Sequence, residues 1–381
     1  MQPDVIIIGS GVGGASYAAA LAPSGRNVLI LERGERLQPS PFDRDGKAIF
    51  ADQYFMSDEI WHEPDDTPFQ PGNYAFVGGN SKMYGAALIR FRPQDFRARE
   101  HLGGSTPSWP LSYEELEPFY SAAEDLYQVC GDRHPHSPVP HEPDMIWLKD
   151  RLTAAGLSPE HLPLGIDLNT WLAGGQSPWD GHPGTGFGKM DAETCALAEA
   201  LKHPNVILKT GCTAERLVAG PDGRIAKLHV ETSQGAETLT APVIILAAGA
   251  VQSVALLLGS AAEAYPTGLA NRSDQVGRNF MNHNASAMMA VMPWRQNRSI
   301  YQKTLMVNDY YDQGPEGKGP LGNIQMLGKI SGPILKAQVP WLPQSLAGWI
   351  ARRSFDFYAM SEDLPDPRSR VTLANDKIVL N

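Results

Sequence analysis

Gly9, Gly11 and Gly14 stand at the spacing G-x-G-x-x-G, in the run Gly9-Ser10-Gly11-Val12-Gly13-Gly14, and Glu32 follows Gly14 by 18 residues. In dinucleotide-binding folds an acidic side chain about 20 residues past the glycines meets a ribose diol. These residue types suit that chemistry. Glycine at 9 permits a tight turn, glycine at 11 lets bare backbone approach a pyrophosphate, and glycine at 14 lets a helix lie close on a strand. The N–H groups at the helix start face the phosphates. Glu32 accepts hydrogen bonds from ribose hydroxyls and repels a 2′-phosphate, which disfavours a phosphorylated nicotinamide cofactor. FAD and NAD are left.

A second stretch of this kind holds Gly78, Gly79, Asn80, Ser81, Lys82, Met83, Tyr84, Gly85 and Ala86. It follows neither the helical period nor strand alternation. A glycine pair lets a flat group lie against bare main chain. A third is the apolar run from Val243 that ends at Ala248 and Gly249 and leads on to Ser253. Four separated segments, 9–14, 32–33 with Arg33, 78–86 and 247–253, suit a large dinucleotide that stays bound. This favours FAD, with 78–86 along the isoalloxazine ring. An NAD-dependent dehydrogenase is the competing reading, and it predicts reversible NADH binding without flavin.

The elements that must hold these segments follow from the pattern around them. "DVIIIG", "GSGVGGASYAAALA" and "NVLILE" read as buried strand, glycine turn with helix, and second buried strand. Residues 38–75 lack periodicity and read as loop with short elements. Over 112–127 a helix is expected, capped by Ser112 with Glu115 three residues on and bent at Pro118. Residues 132–143 and 174–188 read as loops. A helix capped by Asp191 follows, then a strand over "NVILKT" and antiparallel strands turning at Pro221-Asp222-Gly223 and near Gly235. "VIILAAGAVQSVALLLGSA" reads as strand, glycine turn and helix rather than a membrane span, because Gly249, Gln252 and Ser253 sit at its centre. The remainder, 284–381, is mixed and β-rich at its end. Within it Trp341, Leu342, Leu346, Trp349 and Ile350 could share one face of a short helix covering the substrate domain; contact with a membrane surface or partner is the alternative. The expected class is α/β: a Rossmann-like FAD-binding domain (1–37, 76–100 and 190–283) with a mixed or antiparallel β-sheet substrate domain of α+β character (38–75, 101–189 and 284–381).

Bulk properties narrow the function. A chain of 381 residues with formal net charge −10 and no basic run is an unlikely nucleic-acid binder. Cys130, Cys195 and Cys212 are odd in number and widely spaced, so neither a disulfide framework nor a Cys-x-x-Cys metal site is expected. His134, His136 and His141 lie in a proline-rich loop and read as loop histidines rather than metal ligands. No nucleophile elbow is present. Met1-Gln2-Pro3-Asp4 enters a strand-like run without a charged and apolar leader, from which a cytoplasmic location is expected, export with a partner aside.

The segments "DVIIIGSGVGGASYAAALA", "NVLILERG", "VGGNSKMYGAALIRFRPQDF", "WPLSYEELEPFYSAAEDLYQVCG", "NVILKTGCTAERLV", "ILAAGAVQSVALLLGS" and "QVGRNFMNH" resemble, in order over residues 4–283, the glucose–methanol–choline (GMC) oxidoreductase family, in its pyranose oxidase and FAD-linked sugar dehydrogenase branch. The resemblance implies oxidation of an alcohol carbon of a sugar, polyol or other alcohol. Electrons then pass to oxygen, a quinone or a cytochrome. It implies that Gly79, Asn80, Ser81, Met83, Tyr84 and Gly85 line the flavin, with Ala86 closing the segment. Thr213 and Ala214 would reach the adenine end, and Ala248 and Gly249 the adenosine or pyrophosphate. Pyranose oxidase-like members carry a flavin-linked histidine where this chain has Met83, so non-covalent FAD is expected. His283, in "MNH", is expected to be structural or near the cofactor. The family's catalytic histidine and its His or Asn partner are expected beyond Asn381, so no catalytic residue is assigned here. The alternative to a self-sufficient enzyme is a flavin-binding subunit or fragment of a larger or split dehydrogenase, with a second polypeptide supplying the C-terminal region.

Overall fold

The computed structural model describes residues 2–132, 136–174, 179–184 and 188–381. Its centre is a four-stranded parallel sheet in the order Val206–Lys209, β2 (Val28–Leu31), β1 (Val5–Ile8), Val243–Leu246. The apolar runs of β1 and β2 have no polar side because both faces are covered. On one face, Val5, Ile7, Val28 and Ile30 pack against α1 (Val12–Leu21) and residues 190–200. On the other, Ile6, Ile8 and Leu31 meet the antiparallel sheet Cys212–Ala219, Ile225–Thr232, Gly235–Leu239 and the helix Ala250–Gly259. Fully burying a side chain such as Ile6 or Ile7 contributes about 1.5–3 kcal/mol.

Register carries this core to the site. Ile8 pairs with Leu31 on one side and with Leu246 on the other. Three strands therefore end level, and the two glycine turns leave the sheet side by side.

A second layer is a five-stranded antiparallel sheet in the order Asn284–Val291, Ser354–Ser361, Asn323–Met326, Leu305–Val307, Pro159–His161. A small mixed sheet joins Val371–Ala374 and Lys377–Leu380 to Trp61–His62 and Pro68–Phe69. Among the described residues no helix is long and apolar enough to cross a membrane.

The helix over Tyr113–Leu126 has its capping box, with Ser112 and Glu115 bonded reciprocally. Two other expectations are corrected. Residues after Asp191 start as a π turn, Glu193–Leu197, before one α turn, although the Asp191 carboxylate does accept the Thr194 N–H at 2.9 Å. The short helix expected to carry Trp341, Leu342, Leu346, Trp349 and Ile350 on one face spans only Gln344–Ala351. Its buried face is Ala347 and Ala351, while Trp341 lies outside it and is 81% exposed. Small residues win there because Gly332 and Gly348 bring two helices close, with a Cβ on Gly332 falling 3.0 Å from the Gly348 Cα.

Candidate functional site

The first turn is tight for a stated steric reason. Gly9 has φ +100°, and a Cβ there would stand 2.5 Å from the Ala247 carbonyl oxygen. A Cβ on Gly14 would stand 1.9 Å from the Gly9 carbonyl oxygen. These two glycines fit α1 onto the sheet. Gly11, Gly13 and Gly249 differ: nothing lies within 4 Å of a Cβ at any of them. All three belong to helix starts, Gly11 and Gly13 at α1 and Gly249 before Ala250–Gly259. Two helix N-termini with bare backbone thus open at the same end of the sheet, which is the geometry that receives phosphate oxygens.

Glu32 directly follows β2 and is 6% exposed. One of its oxygens accepts the Ser10 N–H at 3.0 Å and the Ser10 hydroxyl at 2.7 Å; the other accepts the Gly34 N–H at 2.9 Å. A carboxylate offers about four lone pairs, so the protein leaves roughly one for a ligand hydroxyl. The Ser10 hydroxyl also accepts the Gly78 N–H at 3.0 Å, tying the first turn to the second glycine segment. A Cβ on Gly79 would lie 3.3 Å from the Gly11 Cα. Segments 9–14, 32, 78–79 and 247–249 are therefore one locality. Thr213 and Ala214 adjoin it through the Cys212 N–H, which donates to the Glu32 carbonyl at 2.9 Å. Arg33 turns outward to Glu59 at 2.9 Å, and Glu59 also accepts from Gln252 and the Trp61 indole. Val12 is exposed, and the Ser253 N–H donates to the Gly249 carbonyl at 3.0 Å.

Within 78–86, Ser81 donates to the Gly78 carbonyl at 2.6 Å and accepts the Ala192 N–H at 3.0 Å. Asn80 bonds Tyr74 and Asn73. The Met83 side chain is core, packed with Ile49, Phe55 and Phe76. Tyr84 donates to the Met190 carbonyl at 2.7 Å, and its burial pushes the phenol well above its ordinary pKa. Ala86 is fully buried at φ +60°, a left-handed conformation unusual for alanine.

Beneath this segment lies a cluster that no local sequence pattern announces. Lys82, Lys189 and Lys303 are all buried there with Asp191, and Asp180 beside them is half-buried. Lys82 reaches Asp191 at 3.1 Å and Glu193 at 2.5 Å, and Lys303 reaches Asp180 at 2.9 Å. Burial works against the Asp180 carboxylate, but Lys303 and the Gly328 N–H outweigh it and lower its pKa.

The histidines do not assemble into a site. His283 is exposed. His141 stacks on His161 with centroids 4.0 Å apart, bonds the Thr304 hydroxyl at 2.9 Å, and is pushed by burial to about 4. His136 pairs by backbone with Cys130, and His134 lies outside the described residues. Among the described residues no group of His, Cys, Asp and Glu could hold a metal. The three cysteines are free, and burial raises Cys195 to about 12, so it is not a nucleophile.

Comparison with known proteins agrees with this geometry. Residues 7–39 match the NAD(P)-binding Rossmann-like domain model, and residues 180–285 the GMC oxidoreductase model. The chain is 29% identical over 354 residues to paromamine 6'-oxidase of Streptomyces fradiae, an overlap of 83% of this chain and 62% of that one. It is 31% identical over 295 residues to 6'''-hydroxyparomomycin C oxidase of Streptomyces lividus, covering 72% of this chain and 53% of the relative. It thus spans between about half and two thirds of these relatives' length. A solved pyridoxine 4-oxidase from Mesorbium loti shares the fold, with TM-score 0.66 and 19% identity over 100% of this chain and 76% of that one.

Proposed function

This chain belongs to the GMC oxidoreductase family, and on that premise we propose that it holds FAD across its two glycine turns and takes part in oxidising an alcohol carbon, CH–OH to carbonyl, of a sugar, polyol or other small alcohol. When bound, FAD supplies acceptance of the hydride from that carbon. The rest is the work of the chain. The N–H groups opening α1, from Gly11 to Gly13, face the phosphates, with Gly249 and Ala248 flanking them. The spare lone pair of Glu32 takes a ribose hydroxyl, and Thr213 with Ala214 borders the adenine end. The backbone of 78–86 lies along the ring.

The observation that carries this reading is the open space at the Cβ positions of Gly11 and Gly249, beside glycines that are otherwise sterically required. The residues fit the cofactor on that ground, and the carboxylate at Glu32 suits a diol better than a phosphate. Met83 is a thioether buried among Ile49, Phe55 and Phe76, which supports FAD held without a covalent link. The relatives named paromamine 6'-oxidase and 6'''-hydroxyparomomycin C oxidase support the substrate class.

The visible spectrum of the purified protein tests this. We expect flavin absorbance after FAD uptake, with all of the flavin released on acid denaturation. A colourless protein that takes up no FAD but binds NADH reversibly would favour the nicotinamide reading and end this one.

A second reading, a flavin-binding subunit of a larger assembly, is favoured by two open sheet edges. Val243–Leu246 and Asn284–Val291 each end a sheet, and Val243 and Met288 on them are each 45% exposed. Constant co-purification with a second polypeptide would favour it; alcohol oxidation by the chain alone would defeat it.

A further inference from the structure

Lys189 is 1% exposed, yet it does not spend its charge on a carboxylate: Asp191 and Asp180 are bonded to Lys82 and Lys303. Its ammonium donates instead to three main-chain carbonyls, those of Tyr84 at 2.8 Å, Lys82 at 3.4 Å and His182. Burying a cation is costly, and an apolar side chain of similar volume is often as stable. A cation kept at such a cost on a backbone segment points to a task at that segment.

The segment is also gripped from its other sides. A Cβ on Gly85 would stand 2.2 Å from both Asp180 Oδ1 and Lys303 Nζ, so that ion pair is seated on bare main chain. Gly184 donates to the Lys82 carbonyl at 2.7 Å. The peptides that follow Lys82 and Tyr84 both turn their carbonyl ends to Lys189; the Met83 N–H of the first is taken by the Asn80 carbonyl at 3.1 Å, so the positive end that the second turns away from Lys189 is the Gly85 N–H.

Resting on the FAD reading above, we propose that Lys189 is a positioning residue for the flavin-facing segment 82–86, and that its charge, relayed through the Tyr84 peptide, favours reduced over oxidised FAD. Reduced flavin carries the extra electron density, so oriented positive ends stabilise it more.

Lys189→Met, Lys189→Gln and Lys189→Arg, each loaded with FAD, test this by the dissociation constants of oxidised and reduced FAD. Loss of a buried charge-assisted contact corresponds to about tenfold or more in affinity. In the Met and Gln variants the constant for reduced FAD is expected to rise about tenfold more than that for oxidised FAD, a negative shift of midpoint potential. The Arg variant, which keeps the charge, is expected to preserve the ratio. A purely architectural lysine would weaken both forms equally, or would be rescued by Gln, and either result overturns the inference.

Should the variants fail to fold, wild-type protein carries the test. The ionisable groups facing Lys189 are Lys82, Lys303, Asp180, Asp191, His182 and Tyr84. Burial pushes Lys189 down to about 7, His182 down to about 4 and Tyr84 well above its ordinary value. Rising pH should therefore weaken reduced FAD relative to oxidised FAD through the loss of the Lys189 proton near 7, and a constant ratio of the two dissociation constants between pH 6 and 9, after allowance for the titration of free flavin, overturns it. Wild-type protein that binds no FAD at any pH overturns the FAD reading as well; wild-type binding with an unchanged ratio overturns this inference alone.

Discussion

Two strand–glycine–helix units meet at the end of the parallel sheet, and they are finished differently. The first, β1 into α1, is closed by its own chain. Ser10 is fully buried, Glu32 is engaged by three donors, and Gly9 and Gly14 are in contact with backbone. The second, Val243–Leu246 into Ala250–Gly259, is open. Gly249 and Ala250 are exposed, and the strand is a sheet edge. Their sequences follow the same scheme of apolar run, glycine and small-residue helix. Glycine is demanded in the first by the protein's own packing, and in the second by backbone conformation and by room left for something else.

Substitutions separate these two demands. The largest effect is expected for Gly14→Ala. The new methyl would stand 1.9 Å from the Gly9 carbonyl oxygen, a backbone atom that cannot swing away. The loss should be about 3 kcal/mol or more, read as a lowered midpoint in chemical denaturation without any ligand present. A loss below about 1 kcal/mol would mean that the first turn is as loosely finished as the second.

Next comes Glu32→Gln. The carboxylate accepts from Ser10 twice and from Gly34 once. The amide nitrogen of glutamine would face one of these donors. Losing charge-assisted bonds to buried N–H and O–H groups should cost about 2–3 kcal/mol. Ligand-free denaturation measures this, and FAD titration of the same variant shows whether the remaining lone pair matters for binding. An unchanged denaturation midpoint would show that the closed turn does not depend on its carboxylate.

Gly249→Ala probes the open turn and should cost less, about 1–2 kcal/mol. The cause is conformational and not steric: φ +83° with ψ 167° is a region that is nearly reserved for glycine, while no atom lies within 4 Å of the new methyl. FAD should stabilise wild type more than the variant, so the gap between the two denaturation midpoints is expected to widen when FAD is added. A gap that stays constant would place the ligand away from Gly249.

The parts of this contrast that sequence could reveal are those where one residue type is forced by local geometry. Gly9 and Gly14 are readable because only glycine fits, and Ser112 with Glu115 because a capping box is local. The apolar runs of β1 and β2 announce a covered sheet. The cluster beneath 78–86 was not readable. Lys189 meets carbonyls of Lys82 and Tyr84 more than a hundred positions earlier, and a lysine in a loop looks solvated until the fold closes over it. The Gln344–Ala351 helix misled for a related reason. Trp and Leu suggested a buried face, but the approach set by Gly332 and Gly348 gives that face to Ala347 and Ala351.

The smallest expected change in stability is also the sharpest divider. Gly11 and Gly13 are two residues apart, and a methyl at either meets nothing within 4 Å. Gly11 has φ −65° and ψ −174°, which any residue adopts, so Gly11→Ala should leave ligand-free stability within about 0.5 kcal/mol. Gly13 lies inside α1, where alanine is the better helix former, so Gly13→Ala should stabilise the free protein by about 0.5–1 kcal/mol. Their effects on FAD should diverge. Gly11 is the residue on which Gly79 rests, at 3.3 Å from the Gly79 Cβ position, so it lies between the two glycine segments that would hold the cofactor. A methyl there occupies the approach of the pyrophosphate, and FAD affinity should fall by about a hundredfold, the cost of ~3 kcal/mol of lost contact. At Gly13 the backbone N–H persists and the motif leaves the position free, so affinity should hold. Equal losses at both positions would mean that the cofactor lies over the outer side of α1 and not in the trench between the turns.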